Sequence, residues 1–346
     1  MNILVTGHLG YIGTVLTRVL HDVGHRVVGL DTGYFEDCLI SDVVDQPDRE
    51  MRKDLRAVEV EDLKGIEAVV HLAALSDDPM GQLNPDLTDT INRRATVDLA
   101  RKAREAGVSR FLFSSSCSVY GAAEGDAALT EEAPFNPVTA YGLSKVQAEA
   151  ELASLANDAF SPVFLRNATA YGLSPRLRLD TLVLNNLVGW AVTTGKVRIM
   201  SDGTPWRPLV HVEDICKAFI AALEAPREIV HNQAFNVGQD SENFQVRDIA
   251  EAVRQTVPGC EVEYTGEHQG DRRTYRVCFA KIRERLPGFQ PRWTMKQGAE
   301  ELYAFLKGMG LSLDLFQGRK FKRLTQLKYL MANGSLGSDL FWNTGR

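Results

Sequence analysis

The chain has 346 residues, enough for two domains or one large, elaborated one. Its 39 Lys+Arg against 45 Asp+Glu give a net charge of −6, which argues against a nucleic-acid surface or a polybasic membrane anchor. Apolar residues make up 44% of the chain, which suits a packed core, and no apolar run approaches the roughly 18 residues needed to span a bilayer. The opening residues 1–7 carry no basic region, so no signal peptide is expected there. The five cysteines form no CxxC pair, which fits reduced thiols of a cytoplasmic protein better than a disulfide framework or a zinc site.

Along the chain, short apolar runs at 3–6, 26–30, 68–72, 111–114 and 162–165 predict strands. Helical patterns at 11–23, 87–105 and 140–157 lie between them, with Gly24 and Gly107 where helix C-caps belong. Strands that are nearly continuous in apolar residues and alternate with helices predict an α/β fold. They read as a Rossmann-like, doubly wound parallel sheet covered on both faces. After about residue 173 the pattern loosens, with a strand signal at 234–237 and a helical one at 246–257. We therefore expect a sheet domain from 1–172 and 209–240, and a smaller α/β substrate-binding lobe from 173–208 and 241–310. The rest, 311–346, is a helical extension in which Phe321, Leu324, Leu327, Leu330 and Met331 recur at helical spacing, predicting a last helix docked on the protein's own body.

Three glycines follow the first strand as Gly7-x-x-Gly10-x-x-Gly13, just before the first predicted helix. Such a turn lets backbone N–H groups and a helix N-terminus approach a pyrophosphate. Asp31 ends the next strand, where a carboxylate accepts from ribose hydroxyls and repels a 2′-phosphate, so the cofactor is expected to be NAD. Tyr141 and Lys145 are four apart and share one helix face. An ammonium beside a phenol stabilises the phenolate, which then serves as a base toward an alcohol hydroxyl.

With Ser114–Gly121, His71–Ala74, Asp54–Leu55, Asn92 and Leu165–Arg166 added, the sequence resembles the extended short-chain dehydrogenase/reductase family of NAD-dependent nucleotide-sugar epimerases and dehydratases over about 1–310. The resemblance implies that Gly7, Gly10, Tyr11, Ile12 and Gly13 hold the cofactor's pyrophosphate turn and that Asp54 and Leu55 flank its adenine. Leu72, Ala73 and Ala74 would line its channel, with Asn92, Ser114 and Asn167 completing the cofactor set. Tyr141 would be the acid/base, Lys145 its tuner and a nicotinamide-ribose ligand, and Ser116 the hydroxyl that binds the reacting oxygen. Thr169 and the strand Val197–Ile199 would meet the substrate, and Arg207 and Arg272 would clamp its diphosphate. Asp77 or Asp78 lies where the sugar should sit.

The expected partner is a nucleotide-diphosphate sugar (UDP-, dTDP- or GDP-linked), taken by a homodimer. Dehydratases of this family carry Thr-Asp-Glu where this chain has Ser116-Cys117-Ser118, which favours 4-epimerisation through a transient 4-keto sugar. The alternatives are a dehydratase using Cys117 as acid and a non-catalytic dinucleotide sensor. Family 4-epimerases also commonly place arginine where this chain has His268.

Overall fold

The computed structural model describes residues 1–41, 43–122, 127–265 and 273–343. Seven strands pair in parallel: β1 (Asn2–Thr6), β2 (Arg26–Asp31), β3 (Arg49–Arg52), β4 (Ala68–His71), β5 (Arg110–Ser116), β6 (Ser161–Asn167) and β10 (Gln233–Val237). Their order in the sheet is β10-β6-β5-β4-β1-β2-β3. The doubly wound sheet expected from the alternating pattern is therefore present. Every residue of β4 and β6 is buried, as strands covered on both faces must be. The order reverses between β1 and β4, and the crevice beyond the strand C-termini at such a reversal is where ligands bind.

Two smaller sheets stand beside the main one. β7 (Thr169–Tyr171) pairs in parallel with β9 (Trp206–His211), and β9 is antiparallel to β11 (Asn243–Gln245). β8 (Lys196–Ile199) pairs with β12 (Glu261–Tyr264). Helices Val183–Thr194, Val246–Thr256 and Met295–Gly308 pack on one another beside β8. Strand β10 extends the main sheet beside β6, and helix Val212–Glu224 packs on helix Tyr11–Asp22. The edge strand β3, Arg-Glu-Met-Arg, has no apolar run to betray it.

One expected element is broken. Residues 87–105 do not form one helix: Pro85–Asp89 passes through a π-helical turn, Thr90–Arg94, into Ala95–Glu105. The extra residue in that turn swings Asn92 inward. Its side chain accepts from Leu75 N at 2.8 Å and donates to Leu75 O at 3.1 Å and Ser144 Oγ at 3.3 Å.

The tail crosses the molecule. After the short helix Leu313–Gln317, helix Arg323–Ala332 and the following residues bury Leu327, Leu330, Leu336 and Leu340 against Tyr34, Leu75 and Met80. What covers that apolar stripe is the pair of loops that follow β2 and β4.

Candidate active site

A cavity of about 990 Å³ runs along the C-terminal ends of β1, β2, β4, β5 and β6. Its first wall is the glycine turn. Gly7 has φ of +74°, and a side chain there would meet Ala73 N at 2.9 Å; one at Gly13 would meet Gly7 O at 2.2 Å. Gly7 N donates to Leu30 O and Gly10 N to Gly7 O, which closes the turn. Helix Tyr11–Asp22 then begins at Gly10 with no side-chain cap, so its first N–H groups face the cavity mouth without an internal acceptor. Asp31 sits at the rim and accepts from Leu9 N at 3.2 Å and Gly33 N at 2.8 Å. Asp54 and Leu55 line the same end, and Asp54 is gripped by Arg56 through two 2.8 Å bonds. Leu72, Ala73, Ala74, Tyr11 and Ile12 line the middle. These features fit a dinucleotide: a turn with no room for a Cβ at Gly7 or Gly13, an uncapped helix start, and buried Asn167 Oδ1 in the cavity wall without a hydrogen-bond partner.

The second wall carries the reactive groups. Thr139 caps helix Ala140–Ala153 by accepting from Gly142 N at 3.0 Å, which sets Tyr141 in the first turn and Lys145 one turn on. Lys145 Nζ donates to Ser114 O at 2.7 Å and lies 4.5 Å from the Phe113 ring centre. Burial depresses its pKa to about 7. Desolvation and then the nearby Asp78 carboxylate push the Tyr141 phenol above the ordinary tyrosine range, against the opposing effect of neighbouring Ser116. Ser116 also donates to Ser118 Oγ at 3.0 Å, and Asn167 donates to Ser114 Oγ at 3.0 Å.

The third wall comes from the smaller sheets. Thr169, Ile199 and Arg207 line it; Arg207 donates to Trp206 O at 2.8 Å and to Arg273 O. Arg273 reaches across to form an ion pair with Asp78, whose other carboxylate oxygen is buried without a partner.

Three expected positions are not brought to the cavity. Cys117 is buried, its thiol donates to Arg166 O at 3.2 Å, and burial pushes its pKa up, so it has no route to a sugar. Val197 is buried on the inward face of β8, while its neighbour Ile199 lines the cavity. Asn92 supports the Leu75 loop and Ser144 from behind. Arg272 and His268 lie outside the described residues.

The sequence reading missed Arg178. It is buried, lines the cavity, forms an ion pair with Asp77, and donates to Ser76 Oγ at 3.1 Å and Thr181 Oγ1 at 2.8 Å. Asp180 stands 3.4 Å from its Nε. The alternation Arg176-Leu177-Arg178-Leu179, with Asp180 following, is the signal that was available, because all four residues are buried. Among the described residues no group of His, Cys, Asp or Glu is placed to hold a metal ion, and no helix is long and apolar enough to cross a membrane.

Comparison with known proteins agrees with this geometry. Residues 3–238 match the NAD dependent epimerase/dehydratase family. A UDP-glucose 4-epimerase of Corynebacterium glutamicum is 30% identical over 332 residues, covering 90% of this chain and 97% of the relative. One from Bacillus subtilis is 29% identical, covering 88% and 95%. The structure of MoeE5 in complex with UDP-glucuronic acid and NAD superposes with a TM-score of 0.76 at 28% identity, over 89% of this chain and all of that one. The glycine turn, the rim carboxylate and the match over residues 3–238 place this chain in the NAD-dependent epimerase/dehydratase family, within the extended short-chain dehydrogenases/reductases.

Proposed function

We propose that the protein is a nucleoside-diphosphate-sugar 4-epimerase that works through a transient 4-keto sugar with recycled NAD+. The observation that carries this reading is that Ser116, Tyr141 and Lys145 line one cavity together with the glycine turn on one side and Arg207 on the other. Residues 1–172 with 209–240 would hold the dinucleotide, and 173–208 with 241–310 the nucleotide sugar, Arg207 taking its diphosphate. Pairing of two copies through helices Ala95–Glu105 and Ala140–Ala153 belongs to the same reading.

Bound NAD+ supplies a hydride acceptor, and later donor, at the sugar's C4. The chain's own groups handle the proton. Tyr141 takes it from the C4 hydroxyl, Ser116 holds that oxygen by hydrogen bonding, and the Lys145 ammonium lowers the cost of the phenolate. The same phenol then returns the proton to the ketone oxygen, so no further acid is required.

The test is to incubate the protein with UDP-, dTDP- and GDP-hexoses and read the products by mass and NMR. An isomer inverted at C4 is the expected result; a product lighter by one water would overturn it. One observation favours that second outcome. Asp78 presents a partnerless buried carboxylate oxygen beside Tyr141, so an elimination would run through Asp78 and not through Cys117.

Lys145 also gives a pH signature. Its folded pKa of about 7 lies below the ordinary lysine value, so between these values the unfolded chain binds the extra proton and folding gains stability as pH rises. The difference in unfolding free energy between the nucleotide-free native chain and Lys145→Met is expected to climb by roughly 1 kcal/mol per pH unit between about pH 7.5 and 9.5. A flat difference in denaturant melts would show that Lys145 titrates as an exposed lysine does.

A further inference from the structure

The tail packs against the rim of the cavity at its Asp31–Asp54 end, and its contacts are specific. The loop that follows Asp31 is held by it at three points: Trp342 Nε1 donates to Thr32 O at 2.7 Å, Tyr34 Oη donates to Leu340 O, and Gln326 Nε2 donates to Tyr34 O at 3.2 Å. The residue that grips Asp54 is held as well. Arg56 donates to Asp339 O at 2.8 Å and its guanidinium stacks 3.7 Å from the centre of the Phe341 ring. On the opposite lip, Leu75 and Met80, from the loop after β4, share one apolar cluster with Leu327, Leu330, Leu336 and Leu340.

At the near end of the same helix, Arg323 is 2% exposed and lines the cavity. Its backbone N–H donates to Asp180 Oδ2 at 2.9 Å and its guanidinium to Arg176 O at 2.6 Å. The segment therefore ties the lip after β2 to the lip after β4 and to the cavity wall at 176–180. A bare tail docked for stability alone would have no need to meet both lips of a ligand crevice or to fix the residue that positions Asp54.

The geometry points to a strap: residues 323–342 brace the rim of the adenosine pocket from outside and hold the dinucleotide in place as a non-exchanging group between turnovers. The inference rests on the chain binding NAD. It goes beyond the proposed reaction by assigning the extension to cofactor retention, with Tyr34, Arg56 and Arg323 as its anchoring residues. A dinucleotide could leave past this rim only after Trp342 and Leu340 had lifted from Thr32 and Tyr34, whereas a sugar nucleotide entering beside Arg207 would not disturb them.

The test measures retention directly. The full chain, a chain ending at Gly334, and the full chain carrying Phe341→Ala with Trp342→Ala are each loaded with isotopically labelled NAD+. Each is then chased with unlabelled NAD+, with label per chain followed through rapid gel filtration and melting followed by circular dichroism. Both altered proteins are expected to lose label at least tenfold faster than the full chain, with the double substitution melting within a few degrees of it. Phe341 is 39% exposed and Trp342 sits at the edge of the apolar cluster, so that variant disturbs less of the fold than the truncation and, once its melt shows it folded, decides the question if the shortened chain fails to fold. Label loss within threefold of the full chain in a folded variant overturns the strap and leaves NAD binding standing. A full chain that neither carries nor takes up NAD+ overturns both.

Discussion

Tyr141→Phe is expected to lower kcat by roughly 10³-fold, within the usual range for loss of a positioned acid/base, while the dinucleotide stays bound. The substitution deletes one oxygen and keeps the ring, so the Thr139 cap and the helix are untouched. The lost oxygen is the atom whose protonation Asp78 and Ser116 influence, and Lys145 has no other phenol within reach among the rings it approaches. NAD content measured on the denatured variant should match the native chain, which separates chemistry from binding. Residual turnover within tenfold of native would remove Tyr141 from the proton path.

Glu149→Ala is expected to cost about 3–5 kcal/mol of stability, because it strands a buried cation. Glu149 lies one turn beyond Lys145 on the same helix and pairs with Arg166 of β6 at 2.7 Å, both side chains being 6% exposed. Arg166 keeps Tyr120 Oη at 3.2 Å and Glu131 O at 2.9 Å, neither of which carries a full negative charge at the contact. Glu149→Gln, which retains hydrogen-bonding capacity without the charge, should fall between native and Ala. The pair joins the helix of Tyr141 and Lys145 to the strand of Asn167, so the damage should also reach the active site. Denaturant melts showing a loss under about 1 kcal/mol for the alanine variant would mean that Arg166 finds water when its partner is removed.

The sheet was legible because its strands are buried on both faces and so read as unbroken apolar runs, as in β1, β4 and β6. The site was legible where one local segment carries several constraints: the glycines of 7–13, Asp31 at a strand end, and the i, i+4 spacing of Tyr141 and Lys145. What escaped depends on residues far apart in the chain. β3 is polar and exists only because β2 offers it an edge. Arg178 reads as a loop residue until Asp77, a hundred positions earlier, is seen beside it. The π-helical turn at Thr90–Arg94 has no signature in composition; it is held by Asn92 reaching Leu75. The amphipathic stripe of the last helix was visible, but an apolar stripe does not say which surface it will cover, and the contacts of Leu340 and Trp342 lie some three hundred residues away. Cys117 was a candidate acid because it stands where the family's dehydratases carry Asp, and only the fold shows that its thiol faces β6.

One cavity is lined both by the glycine turn and by Arg207. With the tail closing the dinucleotide end as proposed above, two ligands that share this room would leave in the reverse of the order in which they entered. A tightly held, unreactive sugar nucleotide would therefore act as a cork, trapping the pyridine nucleotide behind it. Inhibitors of this protein would be scored more faithfully by how long that inner occupant is imprisoned than by how much turnover they suppress.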